Sequence, residues 1–155
     1  MSYCKIFICS IFLFGCDSVN DPITDLPEIQ KVVINNGMSY TLIIPKTEYA
    51  ITDSLSLKYQ VFNKTDSVKV YWFVNQQQYG IEIADSKDSI VIYFPIVVQF
   101  APSTFTIQPS AVKEFMTTVP FRNLHGNYIA KGNYRLSVFL LDNNSPKVSL
   151  QIIIK

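Results

Sequence analysis

The sequence predicts an all-β fold: an antiparallel β-sandwich of seven or eight strands following a cleaved signal peptide. Three observations lead there. Apolar and polar residues alternate with period two along most of the chain after Met38. Clusters of Asn, Asp, Ser and Lys divide those rows at intervals of about ten residues. No segment carries a sustained helical stripe, with residues 109–117 the nearest to one, so there are no crossover helices to join parallel strands. The expected organisation is a leader over residues 1–15, a lipidated Cys16 with a flexible tether over 16–37, and the sandwich over 38–155.

The leader comes first. Lys5 gives a weakly basic start, and Ile6 to Phe14 is an uncharged apolar run. As a helix those residues would rise roughly 13 Å, against a bilayer core of about 30 Å. The run is too short to span a membrane and has the length of a secretory apolar segment.

Leu13-Phe14-Gly15-Cys16 resembles the bacterial lipobox: Leu, a variable residue, a small residue, then Cys. The resemblance implies diacylglyceryl transfer to the Cys16 thiol, cleavage after Gly15 and N-acylation of the new terminus, with palmitate-type chains holding the protein in the membrane. Two or more chains give stable attachment at about 0.8 kcal/mol per buried methylene. Cleavage would remove Cys4 and Cys9 and leave Cys16 bonded to lipid, so the mature domain would hold no free thiol and no disulfide. Losing Lys5 takes the 13 basic residues down by one, level with the 12 acidic ones.

Asp17, Ser18, Asn20, Asp21, Pro22, Asp25, Pro27 and Glu28 then form a polar, Pro-interrupted stretch that cannot bury enough apolar surface to order itself. Acid close behind the Cys resembles a surface-export signal of Bacteroidota lipoproteins and also an inner-membrane retention signal of enterobacterial ones. Both alternatives stand; the expected location is the cell envelope, at the outer membrane in preference to the inner. Val32-Val33-Ile34 reads as a short first strand ended by an Asn36-Gly37 turn.

In the body, Leu55, Leu57, Tyr59 and Val61 alternate with polar residues and read as a half-buried strand. Val68, Val70, Trp72 and Val74 form the next inward row. Tyr71 and Phe73 lie on its other face, so this strand reads as central and covered on both sides. Tyr79, Ile81 and Ile83 make a third strand, and Ile90, Ile92 and Phe94 a fourth. Pro95, unable to donate to a ladder, marks the fourth as an edge, a bulge or a sheet-switching strand. Phe115, Thr117 and Val119 follow, then Tyr134 to Leu140 and Val148 to Ile154.

Gly132-Asn133-Tyr134-Arg135-Leu136 resembles the Gly-x-Tyr-x-aliphatic start of a late strand in immunoglobulin-like bacterial domains. Ile107-Gln108-Pro109-Ser110, with Phe115 after it, is similar to the aliphatic-x-Pro-Gly step of the family typified by the bacterial intracellular proteinase inhibitor, with Ser110 where Gly is usual. The likeness implies an immunoglobulin-like sandwich for residues 50–155, and Trp72 echoes the core tryptophan of such domains.

The residue types that carry catalysis are sparse. His125 is the one histidine, it sits in a long connection, and there is no Gly-x-Ser-x-Gly. Zinc wants several His or Cys ligands at fixed spacing. Asp85, Asp88 and Asp142 with Asn143 and Asn144 lack the regular alternation of a calcium loop. Glu82, Asp85, Asp88 and Glu114 suggest paired-acid chemistry only by being acids. No enzyme activity, metal or cofactor is expected, and the charge balance does not suit nucleic acid.

A binding or scaffolding role remains, toward another envelope protein, a peptide or a glycan. The alternatives are a proteinase-inhibitor-like module or an adhesin or assembly subunit. The candidate binding loop runs from Arg122 through His125 and Tyr128 to Lys131. Tyr71, Phe73 and Tyr93 read as inner-face packing rather than as a platform. The strand flanking Pro95 and the last strand are candidate edges for a partner strand. Asp17-Ser18-Val19, Asp53-Ser54-Leu55, Asp66-Ser67-Val68 and Asp88-Ser89-Ile90 resemble the O-glycosylation acceptor of Bacteroidota envelope proteins. Because they lie at strand starts, they read first as turns opening strands.

Overall fold

A computed structural model describes residues 28–95, 101–142 and 144–155. The leader, Gly15, Cys16 and the tether before Glu28 lie outside the described residues, as does Asn143.

Every regular element among the described residues is a strand, and there are eleven. They are β1 (Ile29–Asn35), β2 (Met38–Ile44), β3 (Glu48–Tyr49), β4 (Ser54–Asn63), β5 (Lys69–Phe73), β6 (Tyr79–Ala84), β7 (Ile90–Phe94), β8 (Ser103–Ile107), β9 (Val112–Pro120), β10 (Gly132–Leu140) and β11 (Val148–Ile154). One sheet has the order β1-β2-β4-β9, the second β3-β11-β10-β6-β7, and β5 and β8 form a ribbon of their own. All pairings are antiparallel except the two-residue contact of β3 with β11. The all-β sandwich expected from the sequence is present.

The number of strands exceeds the seven or eight expected because β2, β3 and β8 have no counterpart among the rows read from the sequence. Ile29–Asn35 pairs with β2 along its whole length, so ordered structure begins ahead of Met38. The hairpin turns at Asn36 and Gly37, both with positive φ, as an Asn-Gly turn between strands requires. A Cβ on Gly37 would lie 2.4 Å from Thr65 Cγ2, which seats this turn against the one after β4.

The core lies between the two large sheets. Leu42, Ile44, Leu55, Tyr59 and Val61 face Ile81, Ile83, Leu136, Val138, Leu140, Ile152 and Ile154, all of them buried in one apolar cluster. The alternation read from residues 54–61 is the burial pattern of β4. Along β9, Phe115, Thr117 and Val119 point inward as expected.

One reading fails. Val68, Val70, Trp72 and Val74 are not an inward row: they are 46%, 50%, 74% and 86% exposed. Their strand, β5, is not central either, since among the described residues it pairs only with β8. Tyr71 and Phe73 point inward instead. Phe105 lies 5.0 Å from Tyr71 and 5.3 Å from Phe73 between ring centroids, and Phe115 is 5.9 Å from Phe105. Apart from Lys69 at its start, both rows of β5 are apolar, so period two could not choose between them. The row that fills space beneath the narrow ribbon is the one carrying Tyr71 and Phe73, whose stacking adds to their area burial.

Candidate functional site

The uncovered face of the ribbon leads into a cleft. In the β5–β8 register Val70 stands opposite Thr106 and Trp72 opposite Thr104, both threonines exposed. A cleft of about 340 Å³ opens beside Trp72, lined by Asn35 and Asn36 of the first turn, Tyr40, Lys69 to Trp72, and Asp142 and Asn144 of the loop after β10. Its volume lies at the lower end of the range for small-ligand sites.

The walls are fixed by hydrogen bonds. Asn35 Nδ2 donates to the Asn144 carbonyl at 3.0 Å and ties the first hairpin to the loop after β10. Both carboxylate oxygens of Asp142 accept from its own loop: Oδ1 from the Ser145 amide at 3.2 Å, Oδ2 from the Asn144 amide at 3.4 Å. The Tyr40 and Tyr71 hydroxyls are 3.1 Å apart, and Ser145 Oγ donates to the Tyr40 hydroxyl at 3.5 Å. Burial, then the bond to the Tyr40 hydroxyl, then the charge of Asp142 push the Tyr71 hydroxyl well above the ordinary tyrosine range. It stays neutral and keeps its proton at any physiological pH.

The sequence-predicted binding loop is real as a loop but lies elsewhere. Arg122, His125, Tyr128 and Lys131 join β9 to β10, at the end of β10 where Gly132 lies; the cleft lies beyond Leu140 at the other end. Nine residues of strand separate the two ends, roughly 30 Å. The loop folds on itself. Arg122 stacks on Tyr128 with its guanidinium carbon 3.8 Å from the ring centroid, and its Nη1 donates to the Gly126 carbonyl at 2.7 Å. Asn123 Oδ1 accepts from the amides of His125 and Asn127. Ile129 is buried and moors the segment. Arg122 and Tyr128 are thus engaged with each other, while His125 and Lys131 are exposed.

The acids are scattered. Glu82 pairs with Lys147 at 2.6 Å and Asp88 with Arg135 at 2.6 Å. Glu114 accepts from Gln60 Nε2, and Asp85 accepts from the amides of Lys87 and Ser89 in its own turn. Among the described residues no three His, Cys, Asp or Glu side chains cluster as a metal site. Ser54, Ser67 and Ser89 of the Asp-Ser-aliphatic triplets are exposed at or just before the starts of strands. Asp17-Ser18 lies outside the described residues.

The two candidate edges differ. Among the described residues β7 pairs with β6 alone, and it ends at the cis Phe94–Pro95 bond, in keeping with the edge role read from Pro95. β11 has β10 on one side, and on the other β3 meets only Ile153 and Ile154.

Sequence reasoning missed the cleft. One signal was present: a tryptophan in a strand whose two rows were both apolar, so that one row had to lack a partner if the strand lay at the margin.

No family model and no curated protein matches the chain. Among solved structures it is similar to a β-glucosidase from Listeria innocua, at 12% identity and TM-score 0.43 over 83% of this chain and 16% of that one. It is also similar to the alkylpurine DNA glycosylase AlkC of Pseudomonas fluorescens, at 10% and 0.45 over 72% and 28%. A third likeness is to the sporulation control protein Spo0M of Bacillus subtilis, at 15% and 0.46 over 81% and 49%. The chain spans less than half the length of each. At TM-scores under 0.5 these likenesses bring no residue role or activity to this chain.

Proposed function

We propose that this chain is a lipid-anchored protein of the bacterial cell envelope whose β-sandwich is a non-catalytic binding domain, with the Trp72 face of the β5–β8 ribbon as its working surface. The observation that carries this reading is the exposure of Val68, Val70, Trp72 and Val74 in a single row beside a structured cleft. Scattered exposed apolar residues are ordinary; a row of four at one site marks an interaction surface.

The direction of β1 supports the same reading. The strand enters its sheet at Ile29 opposite Ile44 and reaches the cleft at Asn35. In this reading a chain arriving from Cys16 would enter the sandwich at Ile29, the end of β1 remote from the cleft. The loop from Arg122 to Lys131 lies at the same end of the sandwich as Ile29. The Tyr134 hydroxyl donates to the Ala130 carbonyl at 2.6 Å. That backward bond is the tyrosine-corner arrangement of immunoglobulin-like domains and supports an immunoglobulin-like assignment.

Metabolic labelling with a fatty-acid analogue tests the anchor. Label is expected on the wild type and lost in Cys16→Ala; equal labelling of both would overturn it. A second reading, an assembly subunit joined through strand addition, is favoured by the flank of β11 from Val148 to Ile152, which pairs with no strand among the described residues. It predicts self-association of the purified protein at high concentration, whereas the binding reading predicts a monomer.

A further inference from the structure

We infer that the cleft beside Trp72 is a carbohydrate site, taking a neutral hexose or N-acetylhexosamine unit of a glycan with one sugar ring stacked on the indole. The inference rests on the reading that the Trp72 face is the working surface, and it names the ligand class.

Five observations favour a sugar. The chain's one tryptophan is 74% exposed on a strand, where its broad apolar face meets water. Opposite it stands Thr104, which is small, so no bulky side chain closes over the ring from β8. A pyranose offers a matching flat patch of C–H groups, together with hydroxyls around its rim.

Groups suited to those hydroxyls lie in the same cleft as Trp72. Asn35, Asn36, Asn144 and Asp142 line the same cleft. Each amide or carboxylate presents two hydrogen-bonding atoms in a plane, a geometry that meets vicinal hydroxyls in pairs. Asn35 spends one N–H on Asn144, which leaves its side-chain oxygen for a ligand. Asp142 is oriented by two amides and keeps further acceptor capacity.

The charge is balanced. Lys69 and Asp142 are the charged residues of the lining and have opposite signs, so the site suits a neutral ligand rather than an acidic one. The walls are also preformed, since the first hairpin, the loop after β10 and the Tyr40–Tyr71 pair are already joined by hydrogen bonds. Little ordering cost remains for binding. A peptide adding as a strand would instead be read by a backbone edge with side-chain pockets at alternate positions. Here the groups that share the cleft with Trp72 include the side chains of Asn35, Asn36, Asp142 and Asn144.

Titration of the full chain in a sugar-free zwitterionic detergent tests the inference, with the emission of Trp72 as the signal. The probes are short oligosaccharides of glucose, galactose, mannose and N-acetylglucosamine, with calorimetry for variants. At least one oligosaccharide is expected to shift Trp72 emission saturably. Asn35→Ala and Asp142→Ala are each expected to weaken that sugar at least tenfold, with Tyr128→Ala unchanged and melting temperatures retained. If no sugar acts at millimolar concentration but a pool of extended peptides shifts the emission, the carbohydrate assignment falls and the binding face stands. If neither class acts, both fall.

Discussion

Asn63 joins three segments through one fully buried side chain. Its Nδ2 donates to the carbonyls of Ser67 at 2.8 Å and Ile107 at 3.0 Å, and its Oδ1 accepts from the Thr65 amide and hydroxyl. The end of β4, the start of β5 and the end of β8 meet there, so this residue hangs the ribbon on the sandwich. Asn63→Leu would leave those groups without partners. The expected loss is about 3 kcal/mol of unfolding free energy, measured by urea denaturation.

The buried tyrosines set an alkaline limit. The hydroxyls of Tyr49 and Tyr59 have no hydrogen-bond partner among the described residues. Burial, followed by smaller opposing contributions from the Lys46 backbone and the Asp53 charge, pushes Tyr49 from 10.0 up to about 12. A raised folded-state value means that the stabilisation is whole below the unfolded value and is lost as pH rises past it. Stability is therefore expected to fall between pH 10 and about 12. In Tyr49→Phe that fall should be shallower, as followed by chemical denaturation across the interval; an identical pH profile would refute the assignment.

At the scale of elements, the β5–β8 ribbon has one face in the aromatic cluster and one in water. Substitutions on its two sides should then differ sharply. Phe105→Ala removes a ring packed on Tyr71, Phe73 and Phe115 and is expected to cost about 3 to 5 kcal/mol. Val70→Thr, on the outer row, is expected to change stability by no more than about 0.5 kcal/mol. Thermal melts of the two variants decide it, and comparable losses would mean that the outer face is covered after all.

How legible each element was follows from its pattern. β4 alternates cleanly, so its inner face was readable from Leu55, Leu57, Tyr59 and Val61. β3 has two residues, too few to show any period. β5 is apolar on both rows, and only its position at the margin decides which row is wet. Ser110 has φ near 59°, a left-handed conformation that favours Gly, so the turn at this step holds a residue that its backbone conformation does not favour.

The cleft was beyond local reading for another reason. Asn35, Lys69 to Trp72, and Asp142 come from three distant segments. Two of those segments carry residue types that turns use anyway. Only the register of the sheets brings them together.

For the molecule as a whole, the proposed anchor and the proposed binding face belong to opposite ends of the β-sandwich. β1 enters its sheet at Ile29 and reaches the cleft at Asn35. Everything assigned to the distal end depends on Trp72 standing in solvent. The chain holds a single tryptophan, so its fluorescence reports on that residue alone. Acrylamide quenching of the unliganded protein is the most direct measurement. The account predicts red-shifted emission that acrylamide quenches almost completely, whereas blue-shifted emission shielded from the quencher would place Trp72 in the core and contradict it.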